Sequence, residues 1–236
     1  MRFGSVDMFM EFGEWGSRMG RPIANESFLK ALLTHGGYET YEFFCPDMYH
    51  LERFSKRVRE VIHDEQMLSR VKASLQIALA ESIRSSQYDV FHLGDFTHFM
   101  PYLIGIRNNY AKYPFPVTGV THSLDNVHMN LRYMELVLAG LAPFDGIICT
   151  SRAAKEKVNK GLTWVLEQLR EKFGGSITAE PQMEIIPLGM DDALFEEYDK
   201  VSARSYFNIP ENMIVALSVG RIQILILDLN HDFDWA

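Results

Sequence analysis

Short apolar runs alternate along the chain with longer stretches in which apolar residues recur at three-and-four spacing. The runs read as strands over Arg2–Met10, Tyr38–Cys45, Tyr88–Leu93, Pro116–Thr121, Phe144–Thr150, Met183–Pro187 and Met213–Val219. Between them the spacing predicts helices over Asn25–His35, Leu51–Ile83, Thr97–Tyr110, Asn126–Leu141, Arg152–Phe173 and Ser202–Phe207. In the Arg152–Phe173 segment the stripe is Ala154, Val158, Leu162, Val165, Leu169 and Phe173, with Ser151 placed to cap its start and Gly174-Gly175 to end it. Polar His63–Gln66 is the point where the long Leu51–Ile83 stripe is open to interruption. Strand and helix at this rhythm predict βαβ units, hence an α/β fold with a parallel sheet and helices on both faces.

The segment Leu188–Val201 breaks the rhythm. It carries Asp191, Asp192, Glu196, Glu197 and Asp199, and reads as a solvated crossing between domains. The expected organisation is therefore a domain over 1–187, a linker over 188–201, and the start of a second domain over 202–236.

Composition narrows the partners. Lys and Arg number 23 against 31 Asp and Glu, a net charge of −8, so no general attraction to nucleic acid or anionic lipid is expected. The cysteines, Cys45 and Cys149, are far apart and lack CxxC spacing, which argues against a disulfide framework or zinc and suits a reducing compartment. Met213–Val219 and Ile222–Leu229 are far shorter than the roughly 18 apolar residues of a membrane span. Acids stand early in the chain and no apolar leader follows Met1, so a cytoplasmic location is expected, with peripheral membrane contact left open.

Parallel sheets bind ligands at the carboxyl ends of their strands. A glycine-rich stretch, Gly13–Pro22, follows the first strand, and its Gly16 and Gly20 would let backbone approach a phosphate or form a plain surface turn. Asp95 and His98 follow the third strand, and His122 and Asp125 the fourth. A histidine at a strand end can donate a hydrogen bond or act as a base, or it can be a structural residue satisfied by its neighbours. Asp95 and Asp125 are candidate bases whose ordinary role is a loop cap or a solvated charge. His92, His98, His122 and His128 match no metal-ligand spacing, so no metal site is expected. Arg221 after Gly220 offers a planar cation that fits phosphate oxygens, or is a surface arginine.

Three strings sharpen this. Phe144-Asp145-Gly146-Ile147-Ile148-Cys149-Thr150-Ser151 is similar to a strand of glycosyltransferase family 4 that ends in Ser at a helix start. Glu184-Ile185-Ile186-Pro187-Leu188-Gly189-Met190-Asp191-Asp192-Ala193-Leu194-Phe195 resembles that family's Val-Ile-Pro-Asn-Gly-Val-Asp…Phe segment. Ala203-Arg204-Ser205-Tyr206-Phe207-Asn208-Ile209-Pro210, followed by Val219-Gly220-Arg221, resembles its Arg…Leu-Gly-Ile-Pro…Val-Gly-Arg stretch. The resemblance implies two Rossmann-like domains with a cleft between them, the first holding the acceptor and the second a nucleotide-sugar donor. It implies a retaining hexosyltransferase without a catalytic metal or bound cofactor, the nucleotide sugar being a co-substrate and a sugar or glycoconjugate the acceptor. His122 then matches a histidine that orients the transferred sugar. Gly16, Gly20, Gly220 and Arg221 match the donor-phosphate side, where a fixed cation stabilises the charge of the leaving diphosphate. Asp95, His98 and Asp125 fall on the acceptor side. The alternative is a non-catalytic sugar- or nucleotide-binding module of the same fold.

The chain also departs from the family. No Lys follows Arg221, the later Glu-x7-Glu motif is missing, and composition changes abruptly at Ile222. The expected reading is a donor domain truncated by an interrupted reading frame, with an apolar tail prone to aggregation and little turnover from this polypeptide alone.

Overall fold

In the computed structural model, residues 1–10, 20–125, 128–189 and 198–216 are described. The chain divides into two compact units, Met1–Asp191 and Asp192–Ala236. The first is a Rossmann-like α/β unit. Its strands are β1 (Arg2–Ser5), β2 (Thr40–Cys45), β3 (Val71–Leu75), β4 (Val90–Leu93), β5 (Val117–Val120), β6 (Gly146–Cys149) and β7 (Gln182–Ile185). They form one seven-stranded sheet in the order β3-β2-β1-β4-β5-β6-β7. Every neighbouring pair is parallel. The helices are α1 (Gly20–His35), α2 (Met48–Val61), α3 (Glu65–Leu68), α4 (Leu79–Ser85), α5 (Met100–Tyr110), α6 (Met129–Leu138) and α7 (Arg152–Phe173). In the second unit, α8 (Lys200–Tyr206) begins at Asp199, whose carboxylate accepts from the Ser202 amide at 2.8 Å.

The sheet is buried on both faces, as parallel sheets are. Successive residues of β2 show it. Phe43 packs with Phe3, Phe9, Leu29 and Phe54 on one face, while Phe44 packs with Leu79, Ile83 and Phe91 on the other. The Arg152–Phe173 helix has its expected limits because Ser151 accepts from the Ala154 amide at 3.1 Å and Gly174 leaves the helix at φ +70°.

Four expectations are corrected. Leu51–Ile83 is not one helical region: α2 and α3 end by Leu68, and Val71–Leu75 is a strand. Leu68, Val71, Leu75 and Leu79 satisfy helical spacing, but tertiary pairing decides. Buried β2 needs a partner for its outer edge, and β3 supplies it from Tyr41↔Val71 to Cys45↔Leu75. The first strand stops at Ser5, where side chains replace the ladder. Ser5 Oγ accepts from the Asp7 amide at 2.9 Å and Asp7 from the Phe9 amide at 2.7 Å, and Phe9 turns to φ +54°. Gly20 opens α1 instead of lying in a loop. Met213–Ala216, the start of the expected last strand, form no strand. Gly16, the rest of that strand with Gly220 and Arg221, and the Ile222–Ala236 tail lie outside the described residues.

Among the described residues, no helix is long and apolar enough to cross a membrane. Cys45 and Cys149 are both buried free thiols. Burial pushes Cys45 up to about 11 and also raises Cys149, so neither is a ready thiolate.

One core group makes stability depend on pH. His92 of β4 is buried beside Phe9 and Phe28, with Nδ1 2.8 Å from Thr118 Oγ1. Burial pushes its pKa down to about 4. In the unfolded chain an imidazole takes up its proton near pH 6.5. The unfolded state therefore binds more protons as pH falls from about 6.5 towards 4, and stability is lost across that window. Urea unfolding at stepped pH is expected to show a decline on the order of 3 kcal/mol, flattened in His92→Leu.

Candidate functional site

The chain runs outward from β1 to β2 and β3, then returns to place β4 on the other side of β1. That reversal makes the carboxyl ends of β1 and β4 a topological switch point, the position where the ligand crevice of open α/β sheets lies. Its walls are built from side chains that stop the strands. Ser5 Oγ donates to the His92 carbonyl at 2.6 Å, locking the two strand ends together. Asp7 accepts from the Gly94 amide at 3.1 Å. A Cβ on Gly94 would lie 2.8 Å from Asp7 Oδ2 and 2.9 Å from Asn25 Nδ2, so the absence of a side chain lets α1 and the first loop close on this point.

The turn after β4 is held against the end of β5. The Phe96 amide donates to the Val120 carbonyl at 3.1 Å. A Cβ on Gly119 would meet the Phe96 backbone at 2.8 Å, so glycine permits this contact. Asp95 therefore lies in the turn beside the Thr121-His122 strand end. Its Oδ1 accepts from the Thr97 amide at 2.7 Å and from the Thr97 hydroxyl, a cap that orders the turn. On the next strand, Thr121 Oγ1 accepts from the Thr150 amide at 3.0 Å. The ends of β4, β5 and β6 thus form one polar ledge.

His122 stands on that ledge. It is half-buried, and among the described residues its buried Nε2 has no hydrogen-bond partner. A buried polar atom without a protein partner is uncommon and calls for an explanation. An imidazole nitrogen at this place can donate to or accept from a ligand hydroxyl. Asp95 lies in the turn that the Phe96–Val120 hydrogen bond holds against the end of β5; His98 and Asp125 are exposed, His98 before α5 and Asp125 in the loop leading to α6. Gly20 is the first residue of α1.

Several residues of the crevice were not singled out by sequence. Ser5, Asp7 and Thr121 are strand-end polar residues, and their position after an apolar run was the available signal. Among the described residues, no group of three or more His, Cys, Asp or Glu is arranged to hold a metal ion. Comparison with protein-family models gives no match, and comparison with curated proteins gives none.

Proposed function

We propose that the protein is a glycosyltransferase that moves a hexosyl group from a nucleotide-sugar donor to a saccharide or glycoconjugate acceptor, with retention of configuration. The Met1–Asp191 unit is its acceptor side. The observation that carries this reading is His122, whose strand-end place and unpartnered Nε2 suit a donor to a hydroxyl of the transferred sugar. The three strings similar to glycosyltransferase family 4 support it, as does the parallel sheet with its switch point between β1 and β4. In this reading, Ser5, Asp7 and Asp95 order the walls around the sugar. The same crevice in a non-catalytic module would bind sugar without transferring it.

The test is saturation-transfer NMR with uridine-, guanosine- and adenosine-diphosphate sugars, run beside a radiolabel transfer assay with saccharide acceptors. Saturation is expected on the sugar ring protons of one donor, with slow, acceptor-dependent passage of label. Binding without any transfer would favour the non-catalytic module. No contact with any sugar in the panel overturns both readings.

A further inference from the structure

A groove of about 610 Å³ lies between α6 and the first half of α7. It begins at Leu124 and Asp125, just beyond His122, and runs along α7 to Trp164. The Trp164 indole is 48% exposed on a helix face that is otherwise polar. Its wall is not needed for the core, which α7 serves with Ala154, Val158, Leu162, Val165 and Leu169.

The floor is maintained by an unfavourable residue. Gly161 sits inside α7, where glycine weakens a helix. A Cβ there would lie 2.2 Å from the Tyr133 ring, so glycine is what lets Tyr133 of α6 pack beneath α7. Tyr133 is buried, and its hydroxyl has no hydrogen-bond partner among the described residues.

The chemistry of the lining selects a ligand class. Two carboxylates, Asp125 and Glu156, balance two ammonium groups, Lys157 and Lys160. No net charge is left to recruit an anion or a cation. What remains is an aromatic face beside a ring of donors and acceptors, Asn130 among them. A pyranose has matching parts: an apolar face of C–H bonds that lies on an indole, and an edge of hydroxyls that both donate and accept.

We propose that the α6–α7 groove is a second saccharide subsite, taking a neutral oligosaccharide with one ring stacked on Trp164. Its role as the distal part of an acceptor rests on the sugar-transfer reading; its capacity to bind sugar does not.

The experiment is ligand-observed NMR on the whole chain with maltotriose, cellotriose, chitotriose and mannotriose, and with inorganic phosphate as the anionic probe. At least one trisaccharide is expected to receive saturation on its ring protons. Trp164→Ala is expected to weaken that binding at least ten-fold, and Trp164→Tyr to restore part of it. Circular dichroism and the melting temperature should stay at wild-type values, because the indole is half exposed. His122→Ala should leave trisaccharide binding in place. A nucleotide sugar that produces no effect at His122 of the wild-type chain, with trisaccharide binding intact, would sink only the earlier reading. The subsite is refuted if no trisaccharide binds, if Trp164→Ala binds as wild type does, or if phosphate alone binds at the groove.

Discussion

Replacing Arg107 by methionine is expected to lower the free energy of unfolding by about 3–5 kcal/mol. Arg107, in the last turn of α5, and Asp145, just before β6, are 2% and 0% exposed at their side chains. Their contact is two-pronged: Arg107 Nη1 bonds Asp145 Oδ1, and Nη2 donates to Oδ2 at 2.9 Å. Asp145 also accepts from the amides of Val117 at 2.9 Å and Ala142 at 2.8 Å, and Arg107 Nη1 donates to the Phe115 carbonyl at 3.0 Å. One pair thus joins α5, the start of β5, and the turn into β6.

Two effects compete in such a pair. Attraction between the ions is strong where water is excluded, but taking both ions out of water is itself costly. The net worth of the intact pair against a neutral replacement is therefore small. Removing one partner is different, because it leaves the other charge buried and uncompensated. Asp145→Asn should be nearly as harmful as Arg107→Met for that reason. The double variant should be better than the sum of the two, since the single Asn oxygen can still accept from one of the two amides of Val117 and Ala142 and no lone charge remains. Urea unfolding checks this: the midpoint should fall with an unchanged slope. Additive losses in the double variant would show that the charges are not coupled. Sugar binding should persist where the variants are folded, because this network is at the opposite end of the sheet from the crevice.

The second large effect is on chemistry. His122→Ala is expected to lower sugar transfer by about 10²–10³-fold, because a hydrogen bond to a sugar hydroxyl strengthens as the ring approaches the oxocarbenium-like transition state. Ground-state binding should weaken far less, because one neutral hydrogen bond is worth only about 0.5–1.5 kcal/mol net. Stability should barely move. His122 is half-buried, and its Nε2 holds no other group in place among the described residues. A fall in melting temperature as large as that of Arg107→Met would instead mark His122 as a structural residue. His122→Asn, which retains a donor on a shorter side chain, is expected to recover part of the rate.

Much of this architecture was legible before any coordinates. The α7 helix was readable to the residue because Ser151, its apolar stripe and Gly174 all point the same way. The strand-end position of His122 was equally readable, since an apolar run stops just before it. Asp145 drew notice only as part of a string resembling a family. Its partner Arg107 is 38 residues away in sequence, and no local pattern links them. The edge strand β3 was hidden because its apolar residues also fit helical spacing, and only the exposed edge of β2 resolves the ambiguity. The α6–α7 groove was hidden differently. Glu156, Lys157 and Lys160 look like the solvated face of a helix, and the packing of Gly161 on Tyr133 has no signature in either segment alone.

The central claim is that His122 touches the transferred sugar. The most direct measurement is the nitrogen chemical shift of its imidazole, followed by NMR while a nucleotide sugar is titrated into the chain. A saturable shift at Nε2 is expected, reproduced by the free sugar but not by the nucleoside diphosphate. Sugar binding that leaves the His122 signal unmoved would contradict the account.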